Sequence, residues 1–259
     1  MTDRAHGAPD LRAPTVSDIA TSLRAGARDF IAAPHIGLFF AGFYVVVGVV
    51  MTAITFVTGT TFWLILAVLG FPLIGAFAAL GLYEVSRRRQ HGEHLHFSEI
   101  VSVVWAEKNG QLPWLAVMVV VLFLFWFFLG HMIFALFLGL SPMTNVSTSL
   151  DVFWTADGLT MLAFGSAVGA VFAALTFAMC VLGMPMLLDR DVDFVTALTQ
   201  SIAAVAAAPV IYLGWGAFIA AVTLAAMLPA FLGLFLVLPV LGHATWHLYR
   251  AVAEDRQPV

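Results

Sequence analysis

The chain is poor in cysteine, poor in charge, and holds no Lys or Arg outside a few short segments. Cys180 is the one cysteine among 259 residues, so an intrachain disulfide and a cysteine-based metal cage are both excluded. It lies in an apolar run, where a lone thiol acts as a small packing residue. Charged residues make up 10% of the chain, against about 25% in a soluble domain. No basic cluster exceeds Arg87-Arg88-Arg89, so there is no footprint for nucleic acid. A nucleophile elbow, a Gly-rich phosphate loop and paired catalytic carboxylates are all missing, and a non-enzymatic role is expected. The first 34 residues lack a basic stretch leading directly into an apolar core and a cleavage site, so no signal peptide is read.

What the chain has instead is hydrophobicity, 62% of its residues, organised in runs of about 20 residues that match ~30 Å of hydrocarbon. Six spans are expected, at about 36–56, 62–83, 113–140, 159–188, 210–227 and 229–249. The last two are nearly continuous and are divided at Leu228-Pro229, because a single span of ~40 residues would overshoot the bilayer. All eleven Lys and Arg residues then fall on one side, and the outer loops 57–61, 141–158 and 228–230 carry none. Positive flanks mark the cytoplasmic side. Both termini are therefore expected in the cytoplasm, and a bacterial cytoplasmic (inner) membrane is the expected location. Residues 1–15 read as disordered, 16–250 as one membrane domain and 251–259 as a tail.

The inner segments repeat. Val16 to Ala33, Phe97 to Leu112 and Phe194 to Ala208 are each followed by a proline and then by two spans. In the first, Ile19, Leu23 and Phe30 share a helical face, with Asp18, Arg24 and Arg28 elsewhere. Such amphipathic helices lie in the interface plane. Each even-numbered span carries a proline followed by apolar residues, at Pro72, Pro185 and Pro239, and an interior proline kinks a helix. The expected fold is all-α: a polytopic membrane helix bundle of three hairpins, each preceded by a cytoplasmic interfacial helix. In the fourth span Gly165, Gly169 and Ala173, with Ser166, Ala170 and Ala174, form two small-residue stripes. These suit close helix approach and a central place in the bundle.

No Asp, Glu, Lys or Arg lies between the span ends, which disfavours proton pumping and ion-coupled transport. Histidine is the remaining candidate. His243 and His247 are spaced i, i+4 near the inner end of the sixth span, and His35 starts the first span at similar depth. Together they are candidate metal ligands, with Glu84 or Asp189 in support. The bland alternative is that both span histidines bond carbonyls freed by Pro239 or sit among headgroups. Haem ligation would need His35 or His131 opposite His243. Otherwise no cofactor is expected. Asp189, Arg190 and Asp191 could clamp a cation or a partner, or form a solvated helix exit with Asp193 capping the next helix. Trp126, Phe127 and Phe128 make the third span bulky, suited to lipid or a partner subunit.

The stretches Gly242 to Arg250 (Gly-His-Ala-Thr-Trp-His-Leu-Tyr-Arg) and Leu187 to Phe194 (Leu-Leu-Asp-Arg-Asp-Val-Asp-Phe) resemble those of an uncharacterised proteobacterial family of six-span integral membrane proteins. Some of its members carry a cytochrome c oxidase subunit label. The resemblance implies association with a respiratory complex but transfers no catalytic residue. A catalytic oxidase subunit needs several haem and copper histidines within its spans, and this chain has only His131 and His243 there, with His247 near the inner end. The leading expectation is an accessory, scaffold or assembly subunit embedded in lipid beside a larger membrane complex. The alternatives are a transporter or channel for a neutral or lipid-like substrate, and a metal or haem protein.

Overall fold

A computed structural model describes residues 5–59, 78–139 and 153–254. Pro72, most of the expected second span and most of the long outer loop lie outside the described residues. Helix α1 is Val16–Ala32 and α2 is Pro34–Thr58. Residues 78–90 form α3. Helix α4 is Phe97–Ala106, continued by one 3-10 turn, Glu107–Asn109. Helix α5 is Leu112–Leu138, α6 is Ala156–Cys180 and α7 is Gly183–Asp189. Helix α8 is Phe194–Ala207, α9 is Pro209–Met227 and α10 is Leu234–Val252.

Four stretches are long and apolar enough to cross a membrane among the described residues: α2, α5, α6 with α7, and α9. The sixth expected span is not among them. Its helix starts five residues later than the sequence suggested, after a turn in which Ala230 and Phe231 take positive φ angles of 51° and 65°. Its C-terminal half is polar, with His243, Thr245, His247 and Arg250, and that half is packed inside the protein.

The three amphipathic stretches are present, and the first and third end as their prolines dictate. A residue before proline is pushed out of the α region, and proline then suits the first turn of the next helix. Ala33 (φ −138°, ψ 56°) and Ala208 (φ −136°, ψ 58°) make the same joint before Pro34 and Pro209. The second joint runs through the 3-10 turn and Gly110 instead. Thr15 caps α1 in a reciprocal arrangement with Asp18, and Asp193 caps α8 by accepting from the Thr196 N–H.

Each amphipathic helix packs on the second helix of a neighbouring repeat, cyclically. Helix α1 packs on α10, where a Cβ on Gly26 would lie 2.6 Å from both the Ala244 nitrogen and the Val240 oxygen. Helix α4 packs on α3: Ile100 is fully buried with Ala78, Leu82 and Val85, and Arg88 pairs with Glu99. Helix α8 packs on α6 and α7 through Ser201. Ring contacts repeat as well. Phe97 at the start of α4 meets Phe39 at 4.9 Å, and Phe194 at the start of α8 meets Trp114 at 6.2 Å.

The core gathers where α3, α7 and α10 meet, around Tyr83, Leu182, Met186, Trp246 and Tyr249. The most apolar windows of α2, α5 and α9 are only 22%, 22% and 17% buried, against 56% for the α6–α7 stretch. Large side chains such as Phe43, Phe125, Phe128 and Leu224 are exposed on the outer helices, as lipid-facing surfaces require.

Three expectations need correction. Residues 5–15 are not free of structure. Ala5–His6 pairs in parallel with Arg190–Asp191, and Asp10–Leu11 pairs antiparallel with Ala253–Glu254. Arg12 donates to the Ala251 carbonyl and pairs with Asp18, tying the segment to the end of α10. Second, the fourth span is central only over residues 178–188; Ser166, Ala170 and Ala173 are exposed, while Gly169 lies against Trp126. Third, Pro185 does not kink a continuous helix. The helix has already broken at Val181–Leu182, and Pro185 sits in the first turn of α7.

The break is held by a hydroxyl inserted into the backbone ladder. Ser201 Oγ accepts from the Leu182 N–H at 3.2 Å and donates to the Ala178 carbonyl at 2.6 Å. These are the two groups that a continuous helix would bond directly to each other. Ser201 is fully buried, and an unsatisfied buried polar group costs about 1–3 kcal/mol. Ser201→Ala is therefore expected to destabilise the detergent-purified protein by about 2 kcal/mol. Thermal unfolding followed by size-exclusion chromatography measures this, with exposed Ser102→Ala as the control that leaves the midpoint unchanged.

Candidate functional site

The densest polar constellation lies where α1, α3 and α10 cross. It follows from a stripe of small and polar residues on α1. Ser22, Gly26 and Asp29 share one helical face, at spacings of four and three, and all three are buried. Gly26 lets the α1 backbone touch α10, and that approach delivers Asp29 to His247. Their Oδ2 and Nε2 atoms are 2.7 Å apart. The other carboxylate oxygen forms an ion pair with Arg89, its Nε 2.8 Å away.

The rest of the network fixes its own proton positions. It starts from an indole N–H, which can only donate: Trp246 Nε1 donates to Gln90 Oε1 at 3.0 Å. The Gln90 amide then donates through Nε2 to His247 Nδ1, also at 3.0 Å. With Nδ1 accepting, His247 carries its proton on Nε2 and donates it to Asp29. Four side chains on three helices are satisfied in series by this one arrangement.

His243, one turn earlier on α10, is fully buried. Its Nδ1 is 2.8 Å from Ser86 Oγ on α3. Its Nε2 makes no hydrogen bond of good geometry, although the Leu82 carbonyl interacts with it. Ser86, a histidine and an aspartate are thus close together, but not as a hydrolytic triad. A triad needs one imidazole bridging both partners, whereas Ser86 engages His243 and Asp29 engages His247.

Two further carboxylates are saturated in the same way. Glu84, fully buried, accepts from Arg87 through both oxygens at 2.7 and 2.8 Å and from Arg88 at 2.7 Å. Asp189 accepts from the Tyr249 hydroxyl at 2.9 Å, from Arg250 Nη1 at 2.9 Å and from Arg190 Nε at 3.1 Å.

The metal trio foreseen in the sequence is not brought together. His35 is exposed at the start of α2, while both nitrogens of His247 are occupied by Asp29 and Gln90. Among the described residues no group of three or more His, Cys, Asp or Glu side chains could hold a metal ion. His131 is bonded through Nδ1 to the Phe127 carbonyl. The acidic exit of the fourth span also differs from a partner clamp. Asp189, paired with buried Arg190, holds α10 through Tyr249 and Arg250, and exposed Asp191 meets His6 at 3.1 Å. On α5, Trp126 covers Gly169 and Phe127 packs on His131, while Phe125 and Phe128 beside them face outward.

Residues 64–189, just under half of the chain, match a family described as "Predicted integral membrane protein (DUF2189)". It is an integral membrane protein. The matched region includes Leu187-Leu188-Asp189 but stops before Gly242–Arg250, so the His247 end of the polar junction lies outside it. No curated protein and no solved structure matches the chain.

Asp29, Ser86, Arg89 and Gln90 were not foreseen from the sequence. The available signal was the Ser22-Gly26-Asp29 spacing, which the more obvious Ile19-Leu23-Phe30 face overshadows. Burial pushes the Asp29 carboxyl up, but hydrogen bonding to His247 and Ser86 outweighs burial and holds it below its ordinary value. A depressed carboxyl contributes stability above its unfolded pKa, ~3.9, and that contribution is lost as pH falls through the lower folded value. Asp29→Asn should therefore lower the melting temperature near neutral pH and flatten the acid limb of the stability profile. An unchanged acid limb in thermal melts between pH 7 and pH 3 would remove Asp29 from this role.

Proposed function

We propose that the chain is a six-span bacterial inner-membrane protein of three hairpins, with both termini cytoplasmic, and that it serves as a non-catalytic accessory or scaffold subunit of a larger membrane complex. The observation that supports this reading is the use made of the buried ionisable groups. Asp29, Glu84 and Asp189 are each taken up by side chains of their own chain, and each links or braces helices. A carrier or enzyme would hold such groups ready for substrate in a wet cavity. Two cavities among the described residues are instead lined almost wholly by apolar side chains. The respiratory character of the complex rests on the sequence resemblance.

The cyclic packing of α1, α4 and α8 supports the three-hairpin topology, because like elements then make like contacts. Single cysteines introduced on a Cys180→Ala background test it. A cysteine at exposed His94 should react with an impermeant maleimide only after the membrane is opened from the cytoplasmic side, and one at Ser147 should react in intact spheroplasts. Labelling of both positions from the same side would sink the six-span arrangement.

Extraction of native membranes in digitonin followed by native gel electrophoresis tests the accessory role. The tagged protein is expected to migrate with other membrane subunits, and harsher detergent should release it. Migration alone in every detergent would remove the proposal.

One observation favours a second reading, a carrier or binder of lipid-like molecules. A cavity of about 790 Å³ lies between α5, α6 and α9, bounded by Phe123, Trp126, Gly169, Ala173, Phe177 and Gly216. Transbilayer movement of a fluorescent lipid in vesicles reconstituted with the protein separates the readings, since a scaffold leaves the rate at that of empty vesicles.

A further inference from the structure

Among the described residues, the lysine and arginine side chains divide into those bound within the protein and two that are not. Arg12 pairs with Asp18 and Glu254, Arg87 and Arg88 with Glu84, and Arg89 with Asp29. Arg190 and Arg250 pair with Asp189, and Lys108 lies 4.0 Å over the Trp105 ring. Among the described arginines, Arg24 and Arg28 are the two with no carboxylate partner, and both are exposed.

Their position gives the exception a meaning. Arg24 and Arg28 are one helical turn apart on α1, on the side away from the buried Ser22-Gly26-Asp29 stripe. The two acidic residues of α1 cannot neutralise them, because Asp18 is held by Arg12 and Asp29 by Arg89 and His247. Three residues beyond Arg28, Ile31 is 75% exposed, and the chain then turns at Ala33 into α2, whose Leu38, Phe39 and Phe43 are exposed apolar side chains. Cationic heads therefore stand at the edge of an apolar surface that begins within one turn of them. This is the pattern of a helix lying among headgroups, with charge in the polar layer and Ile31 below it.

We propose that Arg24 and Arg28 form a binding surface for the headgroups of anionic phospholipids in the leaflet that holds α1. Charge complementarity selects this occupant: two guanidiniums without internal anions present paired donors that match phosphate oxygens. The adjoining apolar residues suit a ligand that carries acyl chains, which a soluble acidic protein lacks. The inference is independent of the accessory role and needs only that α2 crosses the bilayer.

The test uses the full chain in mixed micelles containing phosphatidylglycerol or phosphatidylcholine, with retained lipid counted by intact-protein mass spectrometry. Wild type is expected to retain phosphatidylglycerol at least about fivefold better, a preference that weakens as salt shortens the screening length. The double variant R24Q/R28Q should lose the preference, and R24K/R28K should keep most of it. Both positions are exposed, so the variants should melt as wild type does. If the double Gln variant fails to fold, the wild-type salt titration and the singly substituted R24Q and R28Q proteins decide the matter. Equal retention of the two lipids by wild type overturns the proposal, as does an unchanged preference in R24Q/R28Q. Salt-sensitive binding of poly-glutamate, at equal strength with and without phosphatidylglycerol, would overturn it too, by assigning the patch to an acidic protein surface.

Discussion

The contact on which the polar interior depends is the approach of α1 to α10 at Gly26. A side chain there would collide with the backbone of Val240 and Ala244, so only glycine permits the two helices to touch. Backbone contact of this kind brings side chains one turn away within hydrogen-bonding distance. Asp29 consequently meets His247 and Arg89, and Gln90 and Trp246 complete the chain of donors and acceptors. The aspartate is tolerable in a buried place because one oxygen is hydrogen-bonded to His247 and the other is paired with the Arg89 guanidinium.

The same economy governs the other buried charges. Glu84 is wrapped by Arg87 and Arg88, and Asp189 joins α7 to Tyr249 and Arg250 on α10. Even a broken backbone bond is repaired, by Ser201 between α6 and α7. Near a bilayer, water is not freely available to satisfy such groups, and each one left unpaired would cost far more than its partner contributes. The polar residues therefore act as fasteners between helices, which is why a cluster containing serine, two histidines and aspartate carries no hydrolytic geometry.

Cyclic packing supplies the larger plan. Three amphipathic helices, each ended by a proline or a 3-10 turn, lie against the second helix of a neighbouring repeat. The first helix of each repeat is thereby left outside, with its apolar side chains exposed. Differences between repeats fall where sequence differs locally: α4 is short and ends through Glu107–Asn109, and the α6–α7 stretch is broken where Ser201 inserts from α8.

Periodicity and proline position are local properties, and they were enough to specify four apolar stretches, the three amphipathic stretches with the joints at Pro34 and Pro209, and the Asp193 cap. They also identified His243 and His247 as the polar residues of the last helix. Which partners those histidines take was decided by tertiary structure alone. His35 has similar depth in sequence terms but lies exposed on another helix, whereas Asp29 reaches His247 across more than 200 positions because Gly26 permits the approach. The strand pairs that anchor residues 5–12 to Arg190–Asp191 and Ala253–Glu254 were likewise invisible, since two-residue pairings leave no periodic trace. Hydropathy states how much of a helix prefers lipid. Which face is turned inward, and whether a polar residue there finds its complement, depends on contacts between segments far apart in the chain.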